Sequence, residues 1–161
     1  MQESAIILEA VYNNIFNKDA NFSTFTDRLQ VQKTVYLLQE MGLNIGDYGY
    51  RWYKHGPYSQ KVQDDTFFIS NNLPLVRVEA SKLRFNETAI EIMEKFKRFF
   101  AYEREYNDSE WLEAIASIHY LLNYKMSLPD YEKVITKLKE LKPYLNNESA
   151  NKRAWEIALG I

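Results

Sequence analysis

Apolar residues recur at three- and four-residue spacing along most of this chain, and that period constrains the fold more than any other feature. In residues 4–16, Ile7, Val11 and Ile15 stand four apart with Leu8 and Tyr12 beside them, which is the stripe of an amphipathic helix. Val31, Val35 and Leu38, widened by Leu29, Tyr36 and Leu37, predict a second helix from about Asp27 to Met41. Thr24-Phe25-Thr26-Asp27 supplies its capping oxygens and Gly42 closes its last turn. Pro57, after Gly56, opens a third helix carrying Val62, Phe67, Phe68 and Ile69, which Asn71, Asn72 and Pro74 stop. Asn86 caps a helix with Ile90, Met93, Phe96 and Phe100 on one face. Asp108 or Ser109 caps another over Trp111 to Tyr124, Leu128-Pro129-Asp130 opens one through Leu141, and a last one covers about 149–159.

Two stretches break the period. Residues 43–56 alternate Gly with aromatics and predict a short extended segment around 49–54. Leu75-Val76-Arg77-Val78-Glu79 and Leu83-Arg84-Phe85 alternate apolar and charged residues about an Ala80-Ser81-Lys82 turn, which predicts a β-hairpin. The expected fold is therefore mainly α, about seven helices with one small β-hairpin. The order helix, helix, short strand, helix, hairpin over 4–85 is that of a winged-helix unit. We expect a single domain, 1–161, with a winged-helix-like N-terminal half (4–85) packed on a helical C-terminal half (86–161). A chain of 161 residues buries enough surface to fold without crosslinks, and 5 Gly and 4 Pro leave no long flexible linker.

The chemistry-bearing residues are sparse. There is no Cys, so disulfides, thiolate metal sites and a thiol nucleophile are absent together. The two histidines, His55 and His119, lack the spacing of a metal pair, and His119 sits among apolar neighbours as a hydrogen-bonded structural histidine does. Ser59, His55 and Asp65 can be drawn as a triad, yet no nucleophile-elbow motif surrounds Ser59. Gly42, Gly46 and Gly49 lack the context of a phosphate loop, and Asp64-Asp65 reads as a solvated face. No metal or other cofactor is expected, and the chain reads as no enzyme. The amino terminus carries an acid where a signal peptide carries bases, and no window is apolar enough for a membrane span. A cytoplasmic location is the expectation.

With 12 Tyr, 9 Phe and 3 Trp, the aromatic surplus suggests a contact surface. Its densest stretch is WYKHGPYS, Trp52 to Ser59. Net charge is −2 and both halves are close to balance, so no basic arm announces nucleic acid. A winged-helix nucleic-acid binder is the second reading. It would use Lys61 with Gln60 and Gln63 on the third helix, and Arg77, Lys82 and Arg84 on the hairpin, although Asp64 and Asp65 face phosphate badly.

Arg28-Leu29-Gln30-Val31-Gln32-Lys33-Thr34-Val35-Tyr36-Leu37-Leu38-Gln39, followed by Trp52-Tyr53-Lys54-His55-Gly56-Pro57-Tyr58-Ser59, resembles the paired signature of YwgA-like proteins. It is similar, more distantly, to the SocA-type antitoxin domain, called Panacea, of phage-associated proteins, where a helix with Leu-Gln-Lys-Leu-x-Tyr precedes a Gly-Pro. The likeness covers residues 28 to about 65, with Thr34 in place of the usual apolar residue. It implies a small helical protein of prokaryotes and their phages whose antitoxin-type members bind protein partners, here a host or toxin protein.

Physically, the two motifs admit two readings. In one, Gln32 and Lys33 turn inward onto backbone carbonyls of the Gly-rich segment, while Gly56-Pro57, ahead of Ser59, starts a helix packed on Tyr36 and Leu37. In the other, Tyr50, Trp52, Tyr53, His55 and Tyr58 form a protein-binding patch. Trp111, Ile115, Ile118 and Leu122 share a helix face that suits either a core or a homodimer seam. The functional expectation is a regulator acting by protein–protein contact, antitoxin-like or phage-encoded, that neutralises or modulates a bacterial protein.

Overall fold

The computed structural model describes residues 3–18, 21–54, 56–126 and 129–161. Among them the chain forms eight α-helices and one two-stranded antiparallel hairpin. The helices are α1 (Glu3–Phe16), α2 (Phe25–Glu40), α3 (Gln60–Asn71), α4 (Leu73–Ser81), α5 (Glu87–Lys97), α6 (Asp108–Tyr120), α7 (Tyr131–Leu141) and α8 (Glu148–Leu159). The hairpin, β1 (Arg51–Tyr53) with β2 (Gly56–Tyr58), lies between α2 and α3. A mainly α fold with one small hairpin is what the periodicity predicts.

Side-chain caps define most of the helix starts. Thr24, Ser59, Asn86, Asp130 and Asn147 each accept from a backbone N–H of the first turn that follows, satisfying a donor with no partner inside the helix. Asn107, rather than Asp108 or Ser109, caps α6, and Glu110 completes a capping box by accepting from the Asn107 N–H.

At the centre is α6. Every residue from Trp111 to Tyr120 is buried, which is the condition of a helix apolar on all sides. It packs against α2, α7, α8 and β2, while α1 packs against α3, α4 and α5. One contiguous core takes side chains from all eight helices. Trp111, Ile115 and Ile118, candidates for a dimer seam, are fully buried in that core.

The hairpin occupies a different place from the one expected. Residues 75–79, read as a strand, belong to α4, and no wing follows α3. Leu75, Val76, Arg77, Val78 and Glu79 alternate, yet helix packing uses only Val76 and Ala80, four apart. Val78 is left 54% exposed. Pro74, expected to stop a helix, stands in the first turn of α4, where its missing N–H costs nothing. Pro57 does not open α3 either. It sits in β2, opposite Trp52, and α3 begins after the Ser59 cap. No helix among the described residues is long and apolar enough to cross a membrane.

Candidate functional site at the hairpin

Two glutamines on α2 hold the segment that carries the hairpin. Gln32 donates from Nε2 to the Ser59 carbonyl and accepts from the Ser59 N–H, both at 2.9 Å. Two turns along the helix, Gln39 does the same with Tyr48, both bonds at 2.8 Å. Each amide copies the donor–acceptor pair of a neighbouring strand, so the irregular chain is satisfied at both ends. Between them, Lys33 Nζ donates to the Pro57 carbonyl at 2.8 Å. Gln32 and Lys33 do turn inward, but onto Ser59 and Pro57 and not onto the Gly-rich segment 43–56. Gln39 was missed, although its spacing of seven from Gln32 places both on one helix face.

The pleat sorts the aromatic residues of WYKHGPYS. Trp52 faces inward, its ring 5.6 Å from that of Tyr120, and Tyr50 packs edge-on against Tyr36 at 5.1 Å. These two do not stand on the exposed patch expected of them, because alternate residues of a strand face opposite ways. Tyr53 (47% exposed) and Tyr58 face outward, with ring centroids 5.3 Å apart, and the Arg51 guanidinium lies over the Tyr53 ring at 6.0 Å. His55 lies outside the described residues. Tyr36 donates to or accepts from His119 Nδ1 at 2.7 Å, and burial lowers the His119 pKa, favouring the neutral ring.

Beneath β2 is a buried charged cluster that connects distant parts of the chain. Lys142 Nζ, at the end of α7, donates to Glu113 Oε1 of α6 at 2.9 Å and to the Lys54 carbonyl at 3.2 Å. Tyr144 donates to the same Glu113 oxygen at 2.6 Å. Lys33, Lys142 and Glu113 are each all but inaccessible, and both amines feel the charge of the one carboxylate. Burial, and then the Lys142 charge, bring Lys33 down to about 7 against the opposing pull of Glu113. Burial also lowers Lys142, again opposed by Glu113.

Gly56 is the close approach in this arrangement. Its φ is +93°, and a Cβ there would lie 2.7 Å from Ser117 Oγ. Ser117 is fully buried, and its hydroxyl has no hydrogen-bond partner among the described residues. Glu113 was the available sequence signal for the cluster: a single carboxylate inside the apolar run Trp111–Tyr120 needs a partner.

A cleft of about 350 Å³ opens beside the outer face of the hairpin, between it, α2 and α3. Arg51, Tyr53, Gly56 and Tyr58 form one wall, Arg28 and Leu29 the opposite one, and Lys33 lies at its inner side. Arg28 is oriented by donating to the carbonyls of Phe22 and Ser23. Arg28 and Arg51 were not singled out in the sequence.

The basic residues considered for nucleic acid are dispersed and engaged. Lys61 donates to the Gly46 carbonyl at 2.7 Å, Arg77 pairs with Glu9, Lys82 with Glu79, and Arg84 donates to the carbonyls of Ser81 and Leu83. Asp65 is not solvated as expected. It is buried and accepts from Tyr48 at 2.6 Å and Ser4 at 2.7 Å, while Asp64 is exposed. No group of three or more His, Asp or Glu side chains among the described residues is placed to hold a metal ion.

Fold and site together define a helical protein that presents a short hairpin on glutamine and lysine clasps. Compared with family models, with curated proteins and with solved structures, the chain gives no match.

Proposed function

We propose that this protein is a non-enzymatic regulator that acts by binding another protein through the outer face of the hairpin and the adjoining cleft. The role is that of an antitoxin-like or phage-encoded factor which neutralises or modulates a bacterial protein, in keeping with the resemblance over residues 28–65 to a family whose antitoxin-type members bind protein partners. The observation that carries the reading is the outward row of Arg51, Tyr53 and Tyr58 beside a cleft, on backbone held by Gln32, Lys33 and Gln39. Tyr and Arg dominate binding energy at interfaces, and a surface already held in place loses little entropy on association.

The test is site-specific photo-crosslinking in the host. A crosslinking side chain at Tyr53 is expected to give a discrete heteromeric adduct, and the same group at the exposed Glu156 of α8 none. Equal adducts at both positions, or none at Tyr53, would sink the proposal.

A further inference from the structure

The cleft beside the hairpin has a one-sided charge. Among the described residues, Arg28, Lys33 and Arg51 line it and no carboxylate does. Asp64, on α3, accepts from Gln60 and does not line the space. This is a local excess on a chain whose net charge is −2. Lys33 is already opposed by Glu113 beneath the hairpin, so the charge an entering anion would meet is that of Arg28 and Arg51.

The walls are suited to a carboxylate. The Arg51 side chain has no hydrogen bond or ion pair to a described residue; its guanidinium lies 6.0 Å from the Tyr53 ring centroid, and its N–H groups are uncommitted among the described residues and suit a two-point bond. Arg28 is steadied through one nitrogen by two carbonyls, with its remaining N–H groups uncommitted among the described residues. Within an uncharged lining that also includes Gln60 and Gln63, the side chains of Leu29, Tyr53 and Tyr58 offer apolar surface to residues flanking the anion. A volume of about 350 Å³ is at the small end of ligand pockets and takes a few side chains. Nucleic acid is disfavoured because Lys61, Arg77, Lys82 and Arg84, the basic residues considered for it, are bound to acids or carbonyls and do not line the cleft.

We infer that the cleft receives an acidic segment of the partner protein, with an Asp or Glu carboxylate seated between Arg28 and Arg51 and apolar neighbours against Tyr53 and Tyr58. This deepens the proposed function and rests on it.

Fluorescence anisotropy tests the assignment on the full chain. The probes are a fluorescein-labelled ten-residue peptide alternating Asp or Glu with Leu, its Lys-for-acid counterpart, and a ten-nucleotide single-stranded DNA. The acidic peptide is expected to bind, with affinity falling as salt rises and dropping roughly tenfold or more in Arg51→Glu and in Arg28→Gln. Lys95→Glu, on α5 and remote from the cleft, is expected to bind as the parent does. Arg51 is exposed and makes only a ring contact, so its variant keeps the fold, which circular dichroism verifies. Equal binding of the basic peptide, unchanged affinity in Arg51→Glu, or tighter binding of the DNA with the same losses would overturn the inference. If Tyr53 crosslinks a partner in the host while the acidic peptide fails to bind, the contact surface stands and its acidic specificity falls. If neither occurs, both fall.

Discussion

Replacing Glu113 by Gln keeps the shape of the α6 interior and removes the carboxylate that opposes two buried amines. Glu113 Oε1 accepts from Lys142 Nζ at 2.9 Å and from Tyr144 at 2.6 Å, in a place where neither charged partner is more than 3% exposed. Removing one side of such a pair costs about 3–5 kcal/mol, because the other charge stays buried without compensation. Gln retains an acceptor oxygen, so we expect the lower half of that range at pH 7. For a chain of this length that corresponds to a fall in Tm of roughly 6–16 °C, a large share of a total stability of about 5–15 kcal/mol.

The cost should shrink between pH 7 and pH 9. Lys33 sits near 7 and Lys142 is also lowered, and loss of the carboxylate depresses both further, so the variant sheds its buried charge at a lower pH than the parent does and the penalty fades as pH rises. Lys142→Met in the same chain removes the stranded cation and is expected to recover at least half of the loss. Urea unfolding followed by tryptophan fluorescence measures all three, since the Trp52 ring lies 5.6 Å from Lys142 Nζ. A loss below about 1 kcal/mol, an unchanged loss at pH 9, or no recovery in the double variant would refute the reasoning about a compensated buried charge.

Three further predictions follow from the same site. The parent protein should gain stability as pH rises from about 7 to 9: Lys33 has released its proton in the folded chain near 7, while the unfolded chain holds it to 10.5. The slope is at most about 1.4 kcal/mol per pH unit per proton. It reverses beyond pH 10, where tyrosines such as Tyr12, raised to about 12, keep in the folded state protons that the unfolded chain releases. A urea midpoint that is flat or falls between pH 7 and 9 contradicts this. Gly56→Ala is expected to cost about 2–4 kcal/mol, from the positive φ and the 2.7 Å approach to Ser117 Oγ. Adding Ser117→Gly should return only the contact part, and full recovery would deny the backbone strain. Gln39→Ala, which strands both polar groups of Tyr48, should cost about 1–3 kcal/mol and speed hydrogen exchange at the Tyr48 amide, whereas unaltered exchange would show that the clasp carries nothing.

Much of the fold was legible because it depends on near neighbours. The stripes of α1, α2, α5 and α6, and the caps at Thr24, Asn86 and Asp130, involve residues within four positions of one another. That Gln32 and Lys33 turn inward was legible, but their partners were not: they reach Ser59 and Pro57, and it is Gln39 that holds the Gly-rich segment, at Tyr48. The hairpin was misplaced because five alternating residues, Leu75 to Glu79, fit a strand and a helix equally. Only the packing of Val76 and Ala80 on the core distinguishes them. Asp65 was misread because its partners, Ser4 and Tyr48, are remote in sequence.

By itself the sequence determined the helical class, the starts of most helices and the segment that α2 must hold, all of which follow from periodicity and local hydrogen bonding. The tertiary structure alone decided that Lys33, Glu113 and Lys142 meet under Gly56, and that Arg28 and Arg51 share a cleft without a carboxylate. Desolvation and charge proximity act across space, and residues separated by as much as 109 positions come together only when α2, α6 and the end of α7 pack around the hairpin.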